Sequence, residues 1–249
     1  MANTRDAINK VLRGIRQFGL IVDSGTSSTT DDYLLMVLQF VNEAKEEIEE
    51  CGWPWYALRW TNTVTLSSGT AAYALTAGSE SETDTNDRSR LLYEHTTSGS
   101  ETFYQAANSK PQVFDTTDSS EERLTEITIE KMERMHLTDD DETGKPEYFA
   151  IYSDGTNLQM KVYPTPDATY TITYRVYVPQ DELTNTVLTT TLSVPFRPVW
   201  MKALFKANEE RGSELGRPGS SLYMAMLDAQ GSAVGIEMRP EDQTVYLER

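Results

Sequence analysis

Cysteine is almost absent from this chain: Cys51 stands alone among 249 residues. No intramolecular disulfide can form and a Cys-rich metal site is excluded, so the core must come from apolar burial. Cations are scarce as well, 22 Lys and Arg against 39 Asp and Glu, a formal charge of −17. That balance opposes generic phosphate binding, because each neutralised phosphate needs a cation that this surface mostly lacks. A solvated acidic surface kept for solubility is the plain alternative. Histidine occurs only at His95 and His136, and neither has the i,i+4 partner that a helical metal site uses. Long apolar runs are missing: no window approaches the roughly 18 apolar residues of a membrane span. The opening MANTRDAINKVLRGIRQFGL lacks the apolar core of a signal peptide. The expectation is a soluble chain that enters no membrane and is not secreted by that route.

Catalytic signatures are missing too. There is no GxGxxG, no Walker loop and no GxSxG. The acidic run DDDE at 139–142 lacks the spaced ligand order of a calcium loop and reads as a solvated loop. Cys51 falls at a helix C-terminus, where the dipole raises a thiol's pKa, so it reads as core or interface packing. The expectation is no enzyme: no catalytic residue, no metal and no cofactor.

What is present changes period along the chain. Asn3 or Thr4 can cap a first helix in which Ile8, Val11, Leu12, Ile15 and Phe18 recur at three- and four-residue steps, with Gly19 as its stop. Thr30 is a plausible cap for a second. There Leu34, Val37, Val41, Ala44 and Ile48 form one face, and Glu43, Glu46, Glu47, Glu49 and Glu50 occupy most of the remainder. Gly52 and Pro54 end it. From Leu58 to Val194 the period becomes two, in short runs parted by Gly, Ser, Asn and Asp. The clearest is EYFAIYSDGTNLQMKVYP, a hairpin over Asp154-Gly155, with TYTITYRVYV as a third antiparallel strand. TAGSESETDTNDRS and DTTDSSEER read as long surface loops. EITIEKMERM fits a strand that turns into one helical turn. The helical period then returns in PFRPVWMKALFKANEERG, closed by Gly212, and in a fourth helix that opens at Pro218 or Gly219 and stops near Gly231.

The fold class expected is α+β: a four-helix bundle, two helices N-terminal and two C-terminal, with an inserted antiparallel β-domain, because neither helical pair buries its apolar face alone. Residues 1–56 are the N-terminal pair, 57–194 the β-domain, 195–233 the C-terminal pair and 234–249 an extended tail. Three of the four tryptophans crowd residues 53–60 at the helix-to-strand junction. Trp53, Trp55 and Trp60 are expected to cover the seam between bundle and sheet, joined by Trp200.

Taken in order, these features resemble the head-to-tail adaptor proteins of tailed bacteriophages, especially the tail tubular A proteins of short-tailed phages. AINKVLRGIRQFGL resembles the family's opening helix, and VNEAKEEIEECGWPWYALRWTNTVTL its second helix running into a tryptophan and a strand, with GTAAYAL continuing the hairpin. GKPEYFAIY and LQMKVYPTPDATYTITYRVYVP resemble the β-domain of larger phage adaptors, and PFRPVWMKALFKANEERGSELG the returning helix. The resemblance implies a structural virion protein, made in the host cytoplasm and placed at the head–tail interface. It implies a homo-oligomeric ring of twelve copies between the portal protein and the tail nozzle protein, with a tail fibre as a further neighbour. Double-stranded DNA would pass through without specific binding. In similar adaptors the C-terminal segment enters the portal, so Ile236, Met238, Arg239, Val245, Tyr246 and Leu247 are the expected portal contacts. Glu43, Glu46, Glu47 and Glu50 are candidates to line the channel, where carboxylates repel the phosphate backbone. Two other classes stay open. A carbohydrate-binding β-sandwich would use the aromatic strands as stacking platforms, although cross-strand packing explains them as well. An enzyme of unrecognised type would show a pocket with perturbed titratable groups.

Overall fold

The computed structural model describes residues 2–51, 55–75, 90–91, 113–117, 122–138, 142–154 and 158–246, with the backbone alone at 90, 158 and 237–246. Chain order is α1 (Thr4–Gly14), α2 (Asp32–Glu49), β1 (Arg59–Leu66), β2 (Ala72–Ala74), β3 (Arg90–Leu91), β4 (Val113–Asp115), β5 (Glu122–Arg123), β6 (Thr125–Glu126), α3 (Ile129–Thr138), β7 (Thr143–Gly144), β8 (Tyr148–Ser153), β9 (Leu158–Tyr163), β10 (Thr165–Pro166), β11 (Tyr170–Tyr177), α4 (Phe196–Glu210) and α5 (Ser221–Tyr246). The mixed α+β class read from the change of period is what the chain adopts. Two units separate: a helical one, Met1–Leu58 with Pro179–Arg249, and a β one, Arg59–Val178. Residues 179–194, expected in the β insertion, therefore cluster with the helices.

In the helical unit, α1 opens on a reciprocal capping box. Asn3 Oδ1 accepts from the Asp6 N–H at 3.0 Å, and Asp6 Oδ2 accepts from the Asn3 N–H at 3.2 Å. The helix stops at Gly14, not at Gly19. Arg16 takes a left-handed φ of 62°, and the N–H groups of Arg16 and Gln17 donate back to Arg13 and Leu12. This is a Schellman closure with arginine where glycine is usual. α2 is capped by Asp31 instead of Thr30, through the N–H groups of Tyr33 and Leu34 at 3.0 and 3.1 Å. Ala7, Ile8, Val11 and Leu12 of α1, Val37, Val41, Ala44 and Ile48 of α2, and Val199, Ala203 and Ala207 of α4 are buried, as the helical spacing predicts. α4 packs on α1, α2 and α5, and α1 also meets α2.

The last helix overturns two expectations. α5 runs through Gly231 to Tyr246, so 234–249 is helical, not extended, up to that residue. Neither Gly231 nor Gly235 has a positive φ. A helical glycine costs about 1 kcal/mol, set here against the packing of Met226 and Ala229 on Met201 and the burial of Ala233 between the two glycines.

In the β unit, β1, β11, β4 and β5 follow one another in one sheet with β3 also on β11, while β2, β9, β8 and β6 form a second and β10 pairs β7. The β8–β9 hairpin is antiparallel from Tyr148↔Tyr163 to Ser153↔Leu158, its turn residues 155–157 lying outside the description. Pairing is mixed, not purely antiparallel, since β6–β8 and β7–β10 run parallel. GTAAYAL does not continue a hairpin with the first strand: β1 pairs β11 and β2 pairs β9. Gly69, at φ 78°, turns the chain between the sheets, and its N–H donates to Pro166 O at 2.8 Å. Likewise β11 is not a third strand beside the hairpin, because it lies between β1 and β4. Leu66, Val113, Ile172, Tyr174 and Val176 from one sheet and Phe149, Met160 and Val162 from the other share one core. EITIEKMERM holds a full helix: α3 has 10 residues, and Met132 packs with Ala150 and Tyr163.

Gly216 ends a 3-10 turn against α4, where an added Cβ would stand 2.1 Å from the Glu209 backbone nitrogen. Backbone cannot give way as a side chain can. Gly216→Ala is expected to destabilise by about 2 kcal/mol or more, whereas Gly14→Ala, which meets only the Leu204 side-chain tip, costs less; urea unfolding of both variants measures the difference.

Candidate interaction surfaces

Among the described residues no group of three or more His, Cys, Asp or Glu is placed to hold a metal, and no helix is long and apolar enough to cross a membrane. His136 lies on α3, its Nε2 3.2 Å from Val162 O and its ring edge-on to Tyr163 at 5.2 Å. His95 and residues 139–141 of the acidic run lie outside the described residues. Cys51 is exposed, so it is no core residue.

The densest polar arrangement is one that the sequence did not announce. Lys45 and Glu49 side chains are both 0% exposed, with Nζ 3.8 Å from Glu49 Oε1. Lys45 donates to the carbonyls of Gln180 and Asp181, each at 2.6 Å, and Glu49 Oε1 accepts from the Gln180 N–H at 3.1 Å. One turn earlier, Asn42 donates to Leu183 O at 3.0 Å and accepts from the Leu183 N–H at 2.9 Å. Positions 42, 45 and 49 share one face of α2, so three side chains grip the returning strand-like stretch 180–183. Glu49 therefore does not belong to the outer acidic face where the helical spacing put it. The only hint was a lysine and an asparagine near the apolar positions.

The same end of α2 holds the outgoing chain. Trp55 is buried and its Nε1 donates to Ile48 O at 2.8 Å, a helix-end carbonyl that also accepts a longer bond from the Cys51 N–H at 3.4 Å. Trp200 sits on α4 with Lys10 Nζ 5.9 Å from its ring centroid. Trp60 belongs to the β unit, 39% exposed on β1, and Trp53 lies outside the described residues. Trp55 and Trp200 thus have separate neighbours within the helical unit.

Of the carboxylates proposed for a channel, two face α4. Lys202 Nζ lies 2.6 Å from Glu47 Oε2, and Lys206 Nζ lies 3.0 Å from Glu43 Oε2 and 2.7 Å from Glu47 Oε1. Burial alone would raise the Glu47 carboxyl, but hydrogen bonds from Lys202 and Lys206 outweigh it and hold it below its ordinary value. Burial alone would lower the Lys206 ammonium, and its bonds to Glu47 and Glu43 outweigh that in turn. Both groups stay charged near neutrality. Glu46 lies on the last turn of α2 and Glu50 is its C-cap. Of the expected portal contacts, Ile236 is 65% exposed on α5; Met238, Arg239, Val245 and Tyr246 are helical in backbone, with side chains outside the described residues, as is all of Leu247.

In the β unit, Lys145 bridges Asp115 at 3.1 Å and Glu122 at 2.9 Å. Burial would raise the Asp115 carboxyl, yet bonds from Thr117 and Lys145 outweigh it and hold it low. Hydrogen bonds to Glu122 and Asp115 hold the Lys145 ammonium above its ordinary value. The aromatic residues of β11 serve the core: Tyr174 and Tyr177 are buried, which leaves them no face for a sugar.

A family model described as SU10 adaptor protein matches residues 6–242 of the chain. No curated protein matches it.

Two outcomes follow from the charged clusters. Lys45→Ala leaves the buried Glu49 without its cation and the carbonyls of Gln180 and Asp181 without their donor, so it is expected to destabilise by about 3–5 kcal/mol, measured by denaturant unfolding. The Asp115 contribution is present above its unfolded pKa of about 3.9 and is lost as pH falls through its lower folded value, whereas the Lys145 contribution is lost only as pH rises beyond about 10.4. Melting temperature is therefore expected to hold steady across the middle range and fall in acid, with a shallower acid limb for Asp115→Asn.

Proposed function

The chain belongs to the SU10 adaptor protein family, phage head-to-tail adaptors, and from that premise we propose that it forms a twelve-fold ring between the portal protein and the tail nozzle protein. The single observation that carries this reading is the family match over residues 6–242. In this reading the helices form a four-helix bundle that builds the ring wall, and double-stranded DNA passes along its axis without specific binding. The ring is part of the virion at the head–tail interface, after synthesis in the host cytoplasm. A tail fibre is a further neighbour of the outward face.

Two features support the placement of α5 at the portal. Among the described residues its last buried side chain is Ala233, and the helix backbone continues to Tyr246, more than two turns further on. Ile236 begins that stretch 65% exposed, and apolar residues at a helix end gain by burial in a partner. The portal contact proposed for Ile236, Met238, Arg239, Val245, Tyr246 and Leu247 thus falls on the end of α5, up to Tyr246, and on the residue after it.

Electron microscopy of the purified chain with its portal is the test. A ring seated on the portal, and lost when residues 234–249 are deleted, is the expected result. Monomers beside bare portals would overturn the adaptor placement, and a ring that persists after the deletion would overturn the role given to α5.

A further inference from the structure

A strand at the edge of a sheet carries a row of N–H and C=O groups that no neighbour receives, and native chains blunt such rows by keeping the strand short, bulging it, or placing proline or lysine on it. The edge strands β2, β5 and β6 follow that rule, at three, two and two residues. β1 breaks it. Among the described residues β11 is its only strand partner, and β11 takes β3 and β4 on its other side. The pairing runs one to one from Arg59↔Tyr177 to Leu66↔Tyr170, eight residues without a bulge. The sequence RWTNTVTL holds no proline and no lysine, and its one charge stands at the first position. Thr61, Thr63 and Thr65 are exposed, and Trp60 is 39% exposed.

From this edge we propose that β1 receives an extended segment of a second, different protein, which adds a strand to the sheet. The proposal rests on the adaptor reading, which gives the chain another protein to meet. Backbone complementarity identifies the occupant, because N–H and C=O groups repeated at strand spacing are matched by another extended backbone. The side chains set its pattern. Val64 and Leu66 pack into the core between the sheets, and Trp60 falls on the same face at the period of two. Incoming residues on that face are apolar, since they lengthen the core beside Val64 and Trp60. Those on the other face lie beside Thr61, Thr63 and Thr65 and are polar or β-branched.

A second copy of this chain is the weaker match. The far edge of the same sheet is β5, and after Leu124 the chain passes to β6 in the other sheet, so two residues would face eight. β1 laid against β1 relates two copies by a two-fold axis. That closes a dimer and uses up the edge, whereas a ring repeats one contact between two different patches. The composition of β1 points the same way. Threonine, valine and tryptophan with little charge and no proline make up the kind of segment that pairs with an open strand. Left bare, such an edge invites aggregation, and a dedicated partner strand removes that hazard.

The test is amide hydrogen exchange of the full chain, resolved to single residues by mass spectrometry, in three settings: free, self-assembled without other proteins, and in purified phage particles. The outward amides of β1 are expected to exchange fast in the first two and to slow about tenfold or more in particles. Adjacent residues of an antiparallel strand turn their N–H groups to opposite sides. Of Thr63→Pro and Val64→Pro, one therefore breaks the ladder to β11 and the other removes only an outward donor. The variant that keeps the melting temperature closer to wild type is expected to enter particles about tenfold less well. Outward amides that exchange equally fast in particles would overturn the site and leave the adaptor reading intact. Protection already complete on self-assembly would overturn the different protein as occupant in favour of a second copy. A chain absent from the particles would overturn the adaptor reading itself.

Discussion

The buried ammonium of Lys45 is the constraint on which the helical unit depends. Wholly enclosed, it needs its full set of acceptors, and two of them are the backbone carbonyls of Gln180 and Asp181. Those carbonyls point inward only if the chain runs extended along α2. The stretch 180–183 has no strand partner, yet its polar groups lie against a helix. Asn42 and Glu49 complete the arrangement by receiving the N–H groups of Leu183 and Gln180, so side chains at one helix face take the place of a sheet neighbour. Replacing a buried ion pair by apolar residues is often neutral. Here it would leave the carbonyls of 180 and 181 unsatisfied, so the charge serves the backbone.

That fastening also explains why residues 179–194 cluster with the helices. Beyond Leu183 the chain continues to bond with the N-terminal part: Thr29 N–H donates to Asn185 O, Arg5 N–H to Leu188 O and Thr4 N–H to Thr190 O, each at 2.9 Å. α1, the loop before α2, and α2 itself are thereby tied to one returning segment before α4 begins. Trp55 closes the outgoing side on the Ile48 carbonyl. The point where the chain leaves the helical unit and the point where it returns are thus held by the last two turns of α2.

How much of this was legible in the sequence depended on whether a residue's partner was local. Periodicity placed α1, α2, α4 and the start of α5, because burial on a helix face leaves a 3.6-residue signature. It misread Glu49 as outward and gave Lys45 no role, since a charged side chain facing a distant backbone looks like a solvated one. The helix in EITIEKMERM was shortened because Ile127 and Ile129 alternate like a strand, whereas Met132 completes a helical spacing that only Ala150 and Tyr163 reveal. Strand existence was legible but pairing was not. β1 meets β11 with Leu66 opposite Tyr170, and no local pattern selects a partner that far along the chain. The adaptor resemblance reached the family where these local signals stopped.

The charge surplus is organised, and the organisation decides what the surface can do. Lys206 sits between Glu43 and Glu47, and Lys145 between Asp115 and Glu122, so single cations are shared between two carboxylates. Sharing lowers the energy of a crowded acidic chain: with Lys202 also on Glu47 the α2–α4 cluster is neutral, while the Lys145 cluster is left negative by one. It also means that Glu43 and Glu47 present themselves to their surroundings as parts of a compensated cluster, whose field falls off faster than that of free carboxylates. A formal charge of −17 thus overstates the repulsion any one face exerts.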